Sequence, residues 1–373
     1  MKRLVSICQA SGMSKPLIIT DSGIVKAGLL SKLRQYLDAY RLTYCVYDHV
    51  VADPPVSIVE NAILFAQAQQ CDGVIGFGGG SSLDVAKLVA VLINSEQRLM
   101  DVLGIDKVVG RRAPLLLIPT TAGTGSEVTA VAIVTTGKTT KAAVVSAQLL
   151  PDVAILDAAL TLDLPADVTA ATGIDAMVHA IEAYTSKIKK NPYSDMLAKQ
   201  ALSLLSANIF AATFEPGNLS ARQNMLFGAC LAGQAFANAP VAAVHALAYP
   251  LGGHFHIPHG LSNALVLTQV MRFNITHAAE LYAELADVFI GTGLHSKSDT
   301  LNFSVEDKAL YLIESLSTLI TQLKLPNKLR QLGIKQSDIA TLVEDAMLQT
   351  RLLVNNPRPV SQKDALAIYT SAW

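Results

Sequence analysis

The sequence is short of charge, short of cysteine and without a long apolar run, and each shortage removes a class of function. Charged residues make up only 16% of the 373 and balance to a formal net charge of -1. No basic field is available to hold nucleic acid or to dock on an anionic membrane surface. No uninterrupted apolar stretch reaches the roughly 18 residues that a membrane helix needs. The N-terminal MKRLVSICQASGMSK has a charged start, but its apolar segment is too short for a signal peptide. Four cysteines, Cys8, Cys45, Cys71 and Cys230, form no CxxC pair, which argues against thiolate metal binding and fits a reducing, cytoplasmic setting. Repeats, low-complexity tracts and charge blocks are also missing. With 51% apolar residues, the chain predicts two domains with much buried surface, in a large helical core or against another copy, so a homo-oligomer is expected.

What is present begins as alternating strand and helix. PLIITD (16–21) reads as a strand ending in Asp, a helical pattern runs through Leu37, and TYCVYD (43–48) reads as a second strand ending in Asp48. A helix over 57–70 leads to GVIGFGGG, and PLLLIPTTAGTGSE repeats the form. This alternation predicts right-handed βαβ units in a parallel sheet, with ligands at the carboxyl ends of the strands. Two glycine-rich segments fall there. In GFGGGSSLDVAK, Gly79 and Gly80 follow a strand, and Ser81 or Ser82 is placed to cap the helix carrying Asp84 and Lys87, a phosphate cradle or a plain tight turn. The spacing is not that of GxGxxG. In PTTAGTGSEVT, Thr120, Thr121, Thr124 and Ser126 offer hydroxyls beside Gly123 and Gly125. Two such loops favour a pyrophosphate ligand. A carboxylate at Asp48 is placed to bond a ribose 2′-hydroxyl and repel a 2′-phosphate, favouring NAD over NADP.

After Pro165 the β-rich pattern stops and Ala-, Leu- and Ser-rich helical periodicity takes over. The boundary expected is therefore 1–165 for an α/β dinucleotide-binding domain and 166–373 for an all-helical catalytic domain, with the chemistry in the cleft between them. Four of eight histidines (His245, His254, His256, His259) crowd into HALAYPLGGHFHIPH. Upstream, in GIDAMVHAIEAY, Asp175 and His179 stand four apart on one helix face. Two or three imidazoles with a carboxylate suit Zn(II) or Fe(II).

The order GGGSSLDVAK, PTTAGTGSEVT, GIDAMVHAIEAYTS, HALAYPLGGHFHIPHG with SNALVL, and NNPRPVSQKDALAIYTSAW resembles the iron-containing (group III) alcohol dehydrogenases of the lactaldehyde reductase and butanol dehydrogenase type. The resemblance runs from about residue 16 to the C-terminus. It implies a dehydroquinate synthase-like two-domain fold, with a Rossmann-like sheet followed by an all-α domain. It also implies metal ligands Asp175, His179, His245 and His259, and dinucleotide contacts at Asp48, Gly79, Gly80, Ser81, Asp84, Thr120, Thr121, Thr124, Val131 and Lys141. The activity implied is transfer of hydride between NAD(H) and a small alcohol or aldehyde at Fe(II) or Zn(II), by a cytoplasmic homodimer. Where members such as lactaldehyde reductase carry HxxxH, this chain has Tyr249. Tyrosine can pass a proton but does not titrate near neutral pH unless perturbed. Tyr249 and His254 are the candidates for the proton relay, and Phe236, Tyr249 and Phe255 for an apolar substrate wall. Arg358 in NNPRP is the cation that could fold back towards an anionic substrate. Competing readings are a zinc polyol dehydrogenase, a hydroxyacid–oxoacid transhydrogenase or a dehydroquinate synthase-like lyase of the same architecture, and a non-enzymatic binding protein.

Overall fold

The computed structural model describes residues 3–137, 140–290 and 303–373. They divide into two units, Met1–Thr121 with Ser126–Asp163, and Ala122–Gly125 with Leu164–Trp373.

The first unit contains β1 (Pro16–Asp21), β2 (Cys45–Val50), β3 (Gly73–Gly78), β4 (Gly104–Ile105), β5 (Leu115–Pro119), β6 (Val131–Thr136), β7 (Thr140–Val145) and β8 (Val153–Ala154). Its helices are α1 (Leu4–Ala10), α2 (Ser22–Lys26), α3 (Leu29–Ala39), α4 (Val56–Ala68), α5 (Gly80–Leu92) and α6 (Leu99–Val102). Side chains alternate across a strand, and here both faces are apolar. Leu17, Ile19, Val74, Leu115 and Leu117 form one core with α4 and α5. Their neighbours Ile18, Ile75, Phe77, Leu116 and Ile118 form a second with α1 and α3. A sheet covered on both sides by crossover helices is parallel, and the order is β2-β1-β3-β5-β8.

Two features depart from the expectation. Strand β2 extends to Val50, so Asp48 lies within it rather than at its end. The segment after PTTAGTGSEVT does not extend the parallel sheet. Instead β6 and β7 pair antiparallel from Val131↔Val145 to Thr136↔Thr140, and β7 pairs with β4 in a separate three-stranded sheet. Segments this close in sequence can pair antiparallel, whereas a parallel pair needs a crossover of a dozen or more residues. Beyond β7 the parallel sheet gains only the two residues of β8, which pair with β5. Asp157 then caps a 3-10 turn over Ala158–Thr161.

The second unit holds α7 (Ala166–Thr185), α8 (Pro192–Phe214), α9 (Leu219–Asn238), α10 (Ala243–Phe255), α11 (His259–Ile290), α12 (Val305–Gln322), α13 (Ile339–Met347), α14 (Thr350–Leu353) and α15 (Gln362–Ala372). Their apolar faces make one continuous core, from Ala170 and Ile174 on α7 to Ile368 and Tyr369 on α15. Among the described residues no single helix is long and apolar enough to cross a membrane.

Candidate functional site

Helix α7 has no β-branched run and presents Asp175 and His179 one turn apart on one face. Helix α10 supplies His245 and contains Pro250, and it ends at His256 in the left-handed conformation (φ 55°). Three residues later His259 opens α11. The segment from His245 to His259 is therefore spent on one helix and a reversal, which returns the chain to the same spot. The ligand atoms of Asp175, His179, His245 and His259 all lie within 4.8 Å of one another.

These residues fit a metal ion. A tetrahedral set at about 2.0–2.1 Å spaces its ligand atoms about 3.3–3.4 Å apart. The three imidazole Nε2 atoms stand 3.9, 3.9 and 3.6 Å from Asp175 Oδ1. Electrostatics agree. Burial pushes the Asp175 carboxyl up, but His179, His259, His245 and the Asn263 amide together hold it below the usual value. Burial pushes His179 down to about 3, with Asp175 opposing, so this ring is a neutral ligand at physiological pH. Asp175, His179 and His245 are buried, whereas the His259 side chain is 33% exposed. The cluster thus opens on the His259 side.

Two residues that sequence reasoning did not single out hold the ligands. Asn263, one turn beyond His259 on α11, donates from Nδ2 to Asp175 Oδ1 at 2.6 Å. Glu182 on α7 accepts from the Val244 amide through Oε1 (2.7 Å) and meets His245 Nδ1 through Oε2 (2.6 Å). A signal for Glu182 existed, because the spacings 175, 179 and 182 place all three side chains on one helix face.

The relay and wall candidates separate. The Tyr249 ring lies 5.9 Å from that of His259, and the Phe236 ring 4.5 Å from that of His179. His254 is drawn elsewhere: its Nε2 is 2.5 Å from Asp345 Oδ2 on α13. Phe255 neighbours His254, with ring centroids 6.4 Å apart. Arg358 stacks on Phe273 at 4.0 Å and donates to the Phe273 carbonyl. It is committed to the C-terminal turn, where Asn356 also pairs with Asn274.

In the first unit the cradle differs in detail from expectation. Gly79, not a serine, is the N-cap of α5, and no side chain caps that end. Ser82 donates instead to Asp21 Oδ2 at 3.0 Å. Gly79, Gly80 and Ser81 thus lie at an uncapped N-terminus, where backbone amides favour an anion. Thr121 flanks them, with its side chain 3.6 Å from where a Gly79 Cβ would stand, and Thr120 bonds through its amide to the Gly78 carbonyl. Asp84 anchors β6 through its carboxylate, one oxygen accepting from Ser126 Oγ (2.6 Å) and the other from the Ile133 amide (3.0 Å). Val131 starts β6 and gives its carbonyl to the buried Lys87. Lys141 pairs with Asp53 at 2.6 Å. Asp48 is 40% exposed, with His49 at 3.6 Å. Thr124, Gly123 and Gly125 belong to the helical unit. A Cβ on Gly123 would come 2.7 Å from Thr172 Cβ, and one on Gly125 2.5 Å from Gly233 Cα. Those two glycines therefore allow close packing against α7 and α9.

A doubly covered parallel sheet, a helical unit and a centre of three histidines and one aspartate together describe a two-unit protein with a metal-binding centre in its helical half. Residues 1–158 match the family model described as iron-containing alcohol dehydrogenase, and residues 169–373 match the C-terminal model of the Fe-containing alcohol dehydrogenase family. Long-chain-alcohol dehydrogenase 1 of Geobacillus thermodenitrificans is 41% identical over 377 residues, which cover 100% of this chain and 93% of that protein. Among solved structures, 1,3-propanediol oxidoreductase superposes with a TM-score of 0.94 at 34% identity, covering 100% of this chain and 95% of that one. Sulfoacetaldehyde reductase from Bifidobacterium kashiwanohense, solved in complex with NAD+, superposes with a TM-score of 0.87 at 28% identity, covering 100% and 94%. The chain belongs to the iron-containing alcohol dehydrogenase family and is an oxidoreductase.

Proposed function

We propose that this chain interconverts a small alcohol and its aldehyde with NAD(H), using Fe(II), or alternatively Zn(II), held by Asp175, His179, His245 and His259. The observation that carries the reading is the convergence of those four side chains within 4.8 Å. In reduction, hydride passes from the dihydronicotinamide to the carbonyl carbon and the oxygen takes a proton. An ion held by Asp175, His179, His245 and His259 would supply Lewis acidity at the substrate oxygen. One carboxylate and three neutral imidazoles leave a divalent ion net positive and so electrophilic.

The remaining roles fall to the chain. Tyr249, beside the half-open ligand His259, is the favoured proton-carrying group, while His254 pairs with Asp345. Phe236 and Tyr249 give the substrate an apolar setting, and with Arg358 committed to Phe273 an uncharged substrate is favoured. Gly79, Gly80, Ser81, Thr120 and Thr121 are the candidates for the pyrophosphate, with Asp48 for the ribose and Val131, Lys141 and Thr124 as further contacts. Names of relatives cover long-chain alcohols, 1,3-propanediol and lactaldehyde, and also the anionic sulfoacetaldehyde. The same reading carries a cytoplasmic homodimer, supported by four free cysteines and by exposed apolar side chains such as Met196, Phe210 and Phe227.

The test is NADH oxidation with a panel of aldehydes, on protein purified without air, stripped with chelator and reloaded separately with Fe(II) or Zn(II). Activity restored by metal is the expected result. No turnover with either ion despite intact NADH binding would overturn the reading in favour of the transhydrogenase branch.

A further inference from the structure

We propose that Glu182 is a positioning residue that sets the tautomer of His245, so that the Nε2 lone pair faces the other three ligands. The inference rests on the metal-centre reading and concerns which atom of the ring carries the proton.

The geometry leaves little freedom. Glu182 is 4% exposed and His245 2% exposed, so neither exchanges its partner for water. The two carboxylate oxygens have separate tasks. Oε1 accepts from the amide of Val244 at 2.7 Å, and that amide belongs to the first turn of α10, whose N-cap Ala242 provides no side-chain cap. Glu182 is thus the acceptor that caps α10 from another helix, at the end where a negative charge is favoured. Oε2 faces His245 Nδ1 at 2.6 Å. With Glu182 as a carboxylate, which only accepts, this contact places the ring hydrogen on Nδ1 and leaves Nε2 bare. Nε2 is the atom that stands 3.9 Å from Asp175 Oδ1 in the ligand cluster. One side chain therefore fixes the helix that carries the ligand and the atom that the ligand presents, as outer partners of metal-bound histidines do.

This arrangement makes Glu182→Gln an unusually sharp probe. A backbone N–H can only donate, so the glutamine carbonyl oxygen must serve Val244. Its NH2 group is then left facing His245 Nδ1, which must accept, and the ring hydrogen moves to Nε2, pointing at the ligand cluster. Shape and helix cap are retained while the donor atom is blocked. Glu182→Ala removes the cap but imposes no tautomer.

The experiment measures the dissociation constant for Zn(II), by chelator competition, in wild type, Glu182→Gln and Glu182→Ala. Alongside it, the tautomer of His245 is read from 15N chemical shifts of the metal-free proteins. Expected are a 10–100-fold loss of affinity in Glu182→Gln, a smaller loss in Glu182→Ala, Nδ1–H in wild type and Nε2–H in Glu182→Gln. A merely structural role would order the two variants the other way, with the truncation the worse. Affinity of Glu182→Gln within twofold of wild type, or Nδ1–H persisting in it, would overturn the proposal. A wild type that takes up no Zn(II) would instead fell the metal-centre reading, and the 15N shifts would still decide the tautomer.

Discussion

Gly260 marks a close backbone approach between two metal-binding helices, and its substitution tests how finely the centre is set. It follows His259 on α11, and a Cβ built on it would lie 2.3 Å from the carbonyl oxygen of Ala171, 2.8 Å from that carbonyl carbon and 3.2 Å from Asp175 Cβ. Ala171 is on α7, one turn before Asp175, and the first two contacts are to backbone, which cannot rotate away. To bring the closest contact to a tolerable 3.0 Å, α7 and α11 must separate there by at least 0.7 Å. Metal sites hold their ligand distances within about 0.2 Å, so the shift exceeds what His259 and Asp175 can absorb together. The stability effect is muted. Overpacking costs about 1–3 kcal/mol, while alanine recovers up to about 1 kcal/mol of helix propensity over glycine. Affinity is therefore the sensitive quantity. Gly260→Ala should fold with a Tm only a few degrees below wild type in chelator-treated protein. Its Zn(II) affinity should fall by an order of magnitude or more, and turnover should fall with it. A dissociation constant within twofold of wild type would refute the argument that backbone approach sets the ligand spacing.

Three further outcomes are expected. His259→Ala should lose metal and activity while the metal-free protein melts near wild type, because this ligand is one-third exposed and truncating it empties little of the core; wild-type-like turnover would sink the ligand assignment. Asp48→Gly should lower the preference for NAD over NADP at least about tenfold, by removing the charge that opposes a 2′-phosphate, and an unchanged ratio would remove Asp48 from the ribose site. Glu127 is fully buried, and burial raises its pKa from 4.5 to about 7 against the pull of Lys87. The folded chain then holds this proton more tightly than the unfolded one, so its contribution to stability falls as pH rises from about 4.5 to about 7 and is flat above. Glu127→Gln should therefore be more stable than wild type at pH 8, by at most about 3 kcal/mol, and the advantage should vanish near pH 4. Parallel pH–stability curves for the two proteins would refute it.

The sheet was legible because its physics is local. PLIITD, GVIGF and PLLLIP are short apolar runs ended by Asp, Gly or Pro, and each became a strand in the parallel sheet. The β6–β7 pair was not legible in the same way. VAIVTT and TKAAVV carry half-buried, mixed patterns, and only the pairing partner shows that they form a sheet of their own. Glycine was the most ambiguous residue. In PTTAGTGSEVT the letter G is equally compatible with a phosphate approaching the backbone and with a helix approaching it. The close contacts of Gly123 with Thr172 and of Gly125 with Gly233 emerge only once distant helices are in place.

The centre shows the same division between local and distant information. Asp175 and His179 could be paired from spacing alone, since one helical turn decides their relation. Nothing local distinguishes His245 and His259 from His254, which shares their segment and residue type. What separates them is the set of acids each meets: His245 has Glu182 at Nδ1 and Asp175 near Nε2, His259 has Asp175, and His254 has Asp345, 91 positions away in sequence. An imidazole takes its role from the carboxylate that orients it, and carboxylates on other helices are not readable around a histidine-rich motif. Glu182 reverses the case. It sits on the face already defined by Asp175 and His179, so a search for acids in helical register with a metal-binding pair would have found it, and with it the His245 orientation that histidine counting alone does not supply.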